Sequence, residues 1–338
     1  MKTPFFIWIS SASLVVVGLI VALAHSHFLP LDRPNGRSLH SKPIPRVGGM
    51  VVLPVLTLWG IFVGGQWSVD LASAMLLSLV SFADDRWGLP IFVRFPFHVL
   101  AAFLFVWLAV PVPPAWRGIL VILIVWSTNL FNFMDGCDGL AGGMAVIGFA
   151  VYATAAWPGD RLFSLGCLAA SGAAAGFLFL NFHPARVFLG DSGAIPLGYL
   201  FAVWGVAGVL KGLWSPLFPA VVLAPFWVDA TVTLVRRVFR GEAFWKPHRS
   251  HYYQRLIQIG WGHRRTALVW YGVMVVFGLV ALLFYRSTNP VGSLLAFCLI
   301  PPIVAALRYL DRRCSGHFEI GCDVTSRPVG NDGSPPFA

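Results

Sequence analysis

Long apolar runs dominate the chain. They fall near 5–24, 47–65, 68–83, 92–110, 117–134, 141–157, 162–180, 194–210, 214–235, 267–285 and 291–309. Each is continuous rather than alternating in polarity. Most approach the roughly 20 residues that a helix needs to cross a bilayer. Lipid offers no water to backbone N–H and C=O groups, so each run must satisfy its own hydrogen bonds, which predicts helices rather than strands. The expected fold is an all-α polytopic membrane protein of about eleven transmembrane helices. The pair 47–65 and 68–83 is separated by a very short loop. The first run carries a cleavage-like Ala22-Leu23-Ala24, but its apolar stretch is long for a signal peptide and only Lys2 precedes it. We expect it to persist as the first helix.

Composition supports this class. Of 338 residues, 57% are hydrophobic and 11% charged, and mean hydropathy is +0.76. Soluble domains carry about 25% charged residues, so this chain lacks the charge for an ordinary wet surface. The formal charge of +10 does not imply nucleic-acid binding, because the cations lie in loops between apolar runs and form no basic module. They report orientation instead. Lys2, Arg117, Arg161, Lys211 and Arg286 fall on one side of an alternating topology, and the other nineteen of the 24 lysines and arginines fall on the opposite side. The positive-inside rule then places the N-terminus outside and the C-terminus in the cytoplasm. Residues 1–313 read as one integral-membrane domain and 314–338, rich in Gly, Pro, Ser and Asp, as a mobile tail. Cys137, Cys167, Cys298, Cys314 and Cys322 form no CxxC pair and no zinc spacing, so free thiols are expected.

The acids are placed unevenly. Asp84, Asp85, Asp135, Asp138 and Asp191 lie far apart in sequence, yet all fall at the expected cytoplasmic ends of helices. Carboxylates near a membrane boundary are costly and usually serve function. Clustered, they repel, and a divalent cation or basic groups would relieve that. Gly88 and Pro90 end the segment that carries Asp84-Asp85. Arg94, ten residues past Asp84, is either a snorkelling arginine or a phosphate ligand. In the stretch from Asn129 to Leu140, Asn129, Asn132, Asp135 and Asp138 recur every third residue, and Gly136 and Gly139 let the backbone turn close to a ligand. Gly190-Asp191-Ser192-Gly193 opens another span, where Asp191 either caps the helix or offers oxygens to a metal beside Asn132.

Two loops add positive charge. One holds Asn35, Arg37, Ser38, His40, Arg46, Gly48 and Gly49, and the other His248, Arg249, His251, Arg255, His263, Arg264 and Arg265. Arginines and histidines facing carboxylates suit a polyanionic substrate held through Mg²⁺. Asp229 lies within a run and is expected to pair with Arg236 or Arg237 as a structural contact. The residues thus lead to phosphoryl transfer on a lipid and leave the substrates unnamed.

The ordered set resembles the polyprenyl-phosphate N-acetylhexosamine-1-phosphate transferases. It runs from Asn35-x-Arg37-x-x-His40-x-x-Pro43-x-Pro45-Arg46-x-Gly48-Gly49 through Asp84-Asp85 and Asn129-x-x-Asn132-x-x-Asp135-Gly136-x-Asp138-Gly139-Leu140. It continues with Gly190-Asp191-Ser192-Gly193 and ends at His248-Arg249-Ser250-His251-x-Tyr253-Gln254-Arg255-Leu256. The resemblance covers roughly residues 30–266. It implies ten or eleven helices, a Mg²⁺ or Mn²⁺ requirement, and transfer of an N-acetylhexosamine-1-phosphate from a UDP-sugar to undecaprenyl phosphate with release of UMP. It further implies that Asn132 and Asp191 hold the metal. Asp84 or Asp85 would position or deprotonate the lipid phosphate, and Arg46, Arg94, His248, Arg249 and His251 would grip phosphates. Asn129, Asp135 and Asp138 would line the substrate pocket. The implied setting is the bacterial inner membrane with the site facing the cytoplasm; a homodimer is compatible with it. Gly88 after the acid pair and the His-Arg-Ser-His loop are more similar to O-antigen initiating transferases than to the muramoyl-pentapeptide enzyme.

Other classes fit less well. An intramembrane aspartyl protease would pair Gly190-Asp191 with a Tyr-Asp in another span, and none occurs. A CDP-alcohol phosphotransferase would need Asp-Gly-x-x-Ala-Arg, whereas Gly142 follows Ala141. A transporter of a polyanionic or lipid-linked substrate would carry its charges near the midplane.

Overall fold

The computed structural model describes residues 5–23, 30–32, 43–64, 68–243 and 248–285, with single positions at 298, 301, 303, 305, 306 and 309. The expected span 291–309, the tail 314–338, and Asn35, Arg37, Ser38 and His40 fall wholly or mainly outside these residues.

The described chain is helical apart from a two-residue antiparallel ladder, β1 (Leu31–Asp32) with β2 (Ile44–Pro45). The helices are α1 (Phe5–Leu23), α2 (Gly48–Gly64), α3 (Val69–Trp87), α4 (Ile91–Ala109), α5 (Pro114–Phe133), α6 (Leu140–Ala156), α7 (Arg161–Asn181) and α8 (Asp191–Leu210). They continue with α9 (Phe218–Val222), α10 (Ala224–Phe239), α11 (Tyr252–Leu256), a π-helical turn Ile257–Trp261, and α12 (Gly262–Phe284). Among the described residues, five segments are long and apolar enough to cross a membrane: Ile91–Ala109, Pro114–Phe133, Arg161–Asn181, Asp191–Leu210 and Tyr252–Phe284. The chain is therefore an all-α membrane protein.

Packing separates inner from outer helices. α8 is buried on nearly every face, with α3 and α5 against it. α6 and α7 pack closely through alanine and glycine, the small residues that let helices approach in lipid. At the α1–α7 crossing, Ser13 Oγ donates to Gly172 O at 2.5 Å. α4, α5 and α12 instead turn large apolar side chains outward, among them Phe92, Leu108, Ile122 and Leu283. Lipid would cover that surface, since water would not tolerate it.

One expected span differs. The run 214–235 is broken into α9 and α10 at Leu223. Pro219 and Pro225 lie in the first turn of each helix, where a residue without an N–H starts a helix at no cost but cannot continue one.

Candidate active site

The ends of α3, α5 and α7 and the beginnings of α4, α6, α8 and α12 meet on one side of the bundle. α3 stops at Gly88, whose positive φ of 69° makes the left-handed cap, and its N–H donates to Asp84 O at 2.8 Å. Asp84 and Asp85 therefore occupy the last turn. Asp85 is committed to structure: its side chain is 1% exposed and bonds Arg46 Nη1 at 3.0 Å. It also accepts from the backbone N–H groups of Asp191 at 3.3 Å and Ser192 at 3.1 Å. α8 has no side-chain cap of its own, so Asp85 caps it from another helix. Gly190 (φ 73°) makes this possible, because a Cβ there would sit 2.7 Å from Asp85 Oδ2. The first loop is fixed to the same point. Val47, Gly48 and Gly49 donate their N–H groups to Phe188 O and Leu189 O at 2.9–3.2 Å, which satisfies the start of α2.

Arg94, in the first turn of α4, pairs with Asp84 and lies 3.2 Å from Asp191 Oδ2. Asn132 Nδ2 lies 3.4 Å from the same oxygen. The structure thus joins Asp84, Arg94, Asn132 and Asp191 directly, and Asp85 and Arg46 beside them. Arg46 also pairs with Asp32 at 3.0 Å. Neither Asp84 nor Asp85 opens into the adjacent cavity, because Arg94 and Arg46 stand between.

α5 ends at Phe133, so the three-residue spacing from Asn129 is helical only as far as Asn132. Asp135 and Asp138 belong to the following loop. Tyr253 OH pins that loop by donating to Phe133 O at 2.9 Å and accepting from Gly136 N–H at 3.1 Å. Burial, followed by the nearby Asp191 carboxylate, pushes the Asp135 carboxyl well above its usual range. Burial acts the same way on Asp138. There, however, the imidazoles of His263 and His183 and the Ala185 N–H outweigh it and hold the carboxyl below its usual range. His183 Nδ1 lies 2.7 Å from Asp138 Oδ2 and His263 Nδ1 3.3 Å from Oδ1, with the two rings stacked at 5.4 Å. The three residues bring ligand atoms of a kind that binds metal within 4.8 Å of one another. Yet Asp138 N–H already donates to His263 Nδ1 at 3.1 Å. These contacts, with the Ala185 N–H, orient Asp138.

The second basic loop arrives through α11. Asp229, 1% exposed, aims both oxygens at this short helix and accepts from Tyr252 N–H at 2.9 Å and Tyr253 N–H at 3.1 Å. His251 Nδ1 is 3.4 Å away from it. This replaces the expected arginine pairing. Seven or eight residues along α10 place Arg236 and Arg237 about 10–12 Å further down the axis, and Arg237 pairs with Glu242 at 2.7 Å. Asp229→Ala would strand two buried amides. We expect roughly tenfold slower turnover, with hydrogen exchange accelerated at residues 252–256 and unchanged in α6 and α7. Mass spectrometry of exchange checks this.

His248 and His251 face the cavity, their rings 4.9 Å apart. His248 Nδ1 pairs with Ser250 Oγ at 2.9 Å. Burial, then His251 and Arg237, push the His248 pKa down to about 4, so it is neutral at pH 7. Arg249 is not among the residues that line the cavity. The turn that brings His248 and Ser250 inward leaves Arg249 exposed, away from the cavity wall.

The cavity, about 830 Å³, has two kinds of lining. Arg46, Asn132, Asp135, Asp138, Asp191, His248 and His251 are polar. Ile91, Phe95, Val99, Val121, Ile122 and Trp126, from α4 and α5, are apolar. The site can therefore hold a polyanion against an apolar chain. Sequence reasoning missed His98 and His183; for His98 the signal was a lone histidine inside an apolar run.

Comparison with known proteins places the chain among relatives. Residues 67–209 match the family model described as glycosyl transferase family 4. The chain is 30% identical over 299 residues to the "Probable undecaprenyl-phosphate N-acetylglucosaminyl 1-phosphate transferase" of Bacillus subtilis, covering 80% of this chain and 81% of that one. It is 30% identical to the decaprenyl-phosphate N-acetylglucosaminephosphotransferase of Mycobacterium leprae, covering 88% and 87%. It is 27% identical to the phospho-N-acetylmuramoyl-pentapeptide-transferase of Geobacillus thermodenitrificans, covering 74% and 87%. With its acids, arginine and asparagine gathered beside a partly apolar cavity, this chain belongs to glycosyl transferase family 4, the polyprenyl-phosphate hexosamine-1-phosphate transferases.

Proposed function

We propose that the protein transfers N-acetylglucosamine-1-phosphate from its UDP-sugar to undecaprenyl phosphate, releasing UMP. This would be the first membrane step of O-antigen or another cell-envelope polysaccharide. The observation that carries the reading is the convergence of Arg94, Asn132 and Asp191 at a cavity lined by both polar and apolar side chains, with Asp84 paired to Arg94 behind them. The names of the relatives supply the sugar and the lipid class. The proposed topology keeps eleven spans in a single domain, with the N-terminus outside and the site at the cytoplasmic face of the inner membrane.

The donor set fits a divalent cation. Asp84, Asp85, Asp135 and Asp191 outnumber the two guanidiniums among them, and an Asn132 amide with its oxygen turned inward would join Asp191 as an oxygen ligand. Mg²⁺ or Mn²⁺ held by Asp191 and Asn132 would neutralise diphosphate charge. The chain's own residues do the rest. A substrate phosphate draws Arg94 away from Asp84 and takes over its charge. Asp84, now unpaired, orients the lipid phosphate or accepts its proton. A lipid-phosphate oxygen attacks the β-phosphorus in line; its bond to the α-phosphate oxygen breaks, and UMP leaves with the electron pair. His248 and His251 hold phosphate oxygens, Asn129 contacts substrate, and Asp135 and Asp138 shape the nucleotide end.

Purified protein given Mg²⁺, undecaprenyl phosphate and a panel of UDP-N-acetylhexosamines should release UMP, fastest with UDP-N-acetylglucosamine. Chelation should stop turnover, and Mg²⁺ or Mn²⁺ should restore it. A folded sample that releases no UMP with any donor would replace this reading with transport.

A further inference from the structure

His98 stands out among the buried polar side chains. It is 4% exposed, lines the cavity, and neither ring nitrogen makes a hydrogen bond of normal geometry, Asn129 being the polar side chain beside it. Asn129 lines the same cavity and donates one of its two amide N–H groups to Val125 O at 2.7 Å. A buried imidazole with neither nitrogen well bonded is costly. Serving a ligand would account for that cost.

Position identifies the ligand. His98 lies four residues after Arg94, on the same face of α4. That is about 6 Å further from the site's open end. Phe95 packs against it, and Val99, Val125 and Trp126 of the same two helices also line the cavity, so beyond Arg94 and Asn129 this wall is apolar. The group that reaches this depth must itself be tethered to an apolar chain. Resting on the proposed transferase reading, we infer that His98 donates a hydrogen bond to the phosphate of the polyprenyl phosphate, beyond the oxygens that Arg94 engages. A neutral imidazole can donate from one nitrogen, so no charge need be buried.

The test compares wild type, His98→Phe and His98→Gln. In His98→Phe, KM for undecaprenyl phosphate should rise roughly tenfold, the loss of one hydrogen bond to a charged group, while KM for the UDP-sugar stays within twofold. His98→Gln, which keeps an N–H donor, should recover most of the loss. The thermal midpoint of the ligand-free His98→Phe protein should be unchanged or raised, because a poorly bonded polar group has gone. Wild type should be stabilised by undecaprenyl phosphate, and neither by undecaprenol nor by inorganic phosphate; His98→Phe should lose that difference. An unchanged lipid KM, equal changes in both KM values, or a lowered ligand-free midpoint would overturn the assignment. So would stabilisation by inorganic phosphate alone. Wild-type turnover tests the transferase reading separately, and the thermal readout needs no turnover at all.

Discussion

Asp191→Asn should lower kcat by roughly 10³-fold while leaving the protein folded. The change is nearly isosteric, so packing at the start of α8 survives. Asp85 still caps that helix, because it binds the backbone amides of residues 191 and 192 and not the side chain. What is lost is a carboxylate that meets both Arg94 and Asn132. A preorganised charged group at a reacting phosphate typically contributes 10²–10³ or more in rate. The assay is UMP release alongside a thermal melt in detergent, which should move by only a few degrees. Wild-type turnover would remove Asp191 from the metal proposal; a collapsed melt would make its role one of folding.

Gly49→Ala should cost about 3 kcal/mol of stability, at the upper end for overpacking, and with it most of the activity. A Cβ at this position would collide with the backbone of Ser192 and Gly193, not with a side chain that could move aside. α2 and α8 are in contact here through glycine on both sides, since a Cβ on Gly193 would come 2.8 Å from Gly49 Cα. The wedge would push α8 away from α2 just where Asp191 sits. Expression level, thermal midpoint and turnover should fall together. Gly118, whose Cβ would meet nothing within 4 Å, is the control: Gly118→Ala should leave all three unchanged.

Much of this was legible in the sequence, for identifiable reasons. Helices α2 to α8 and α12 match their apolar runs within a few residues, because in lipid the length of a run sets the length of its helix. Asp84, Arg94, Asn132 and Asp191 came together as helix parity demanded. The misses are of another kind. Pro219 and Pro225 advertised the break between α9 and α10, but uniform hydrophobicity hid it. Arg249 was grouped with its histidine neighbours, although one turn of backbone separates inward from outward. Asp85 capping α8, and Asp229 capping α11, are contacts between elements 106 and 23 residues apart. No local pattern encodes such partners. His98 showed only as a polar residue in an apolar run, a signal that acquires meaning once the cavity beside it is known.

The outward faces of α4 and α5 carry apolar side chains such as Phe92, Leu108 and Ile122, and Ile122 also borders the cavity. On the proposed function, a lipid acceptor would reach the site sideways from the acyl chains, with its tail kept out of water. Entry then carries almost no hydrophobic penalty in either direction. Lengthening the isoprenoid should accordingly raise occupancy by concentrating the acceptor in the bilayer, and change the rate of the bound complex little.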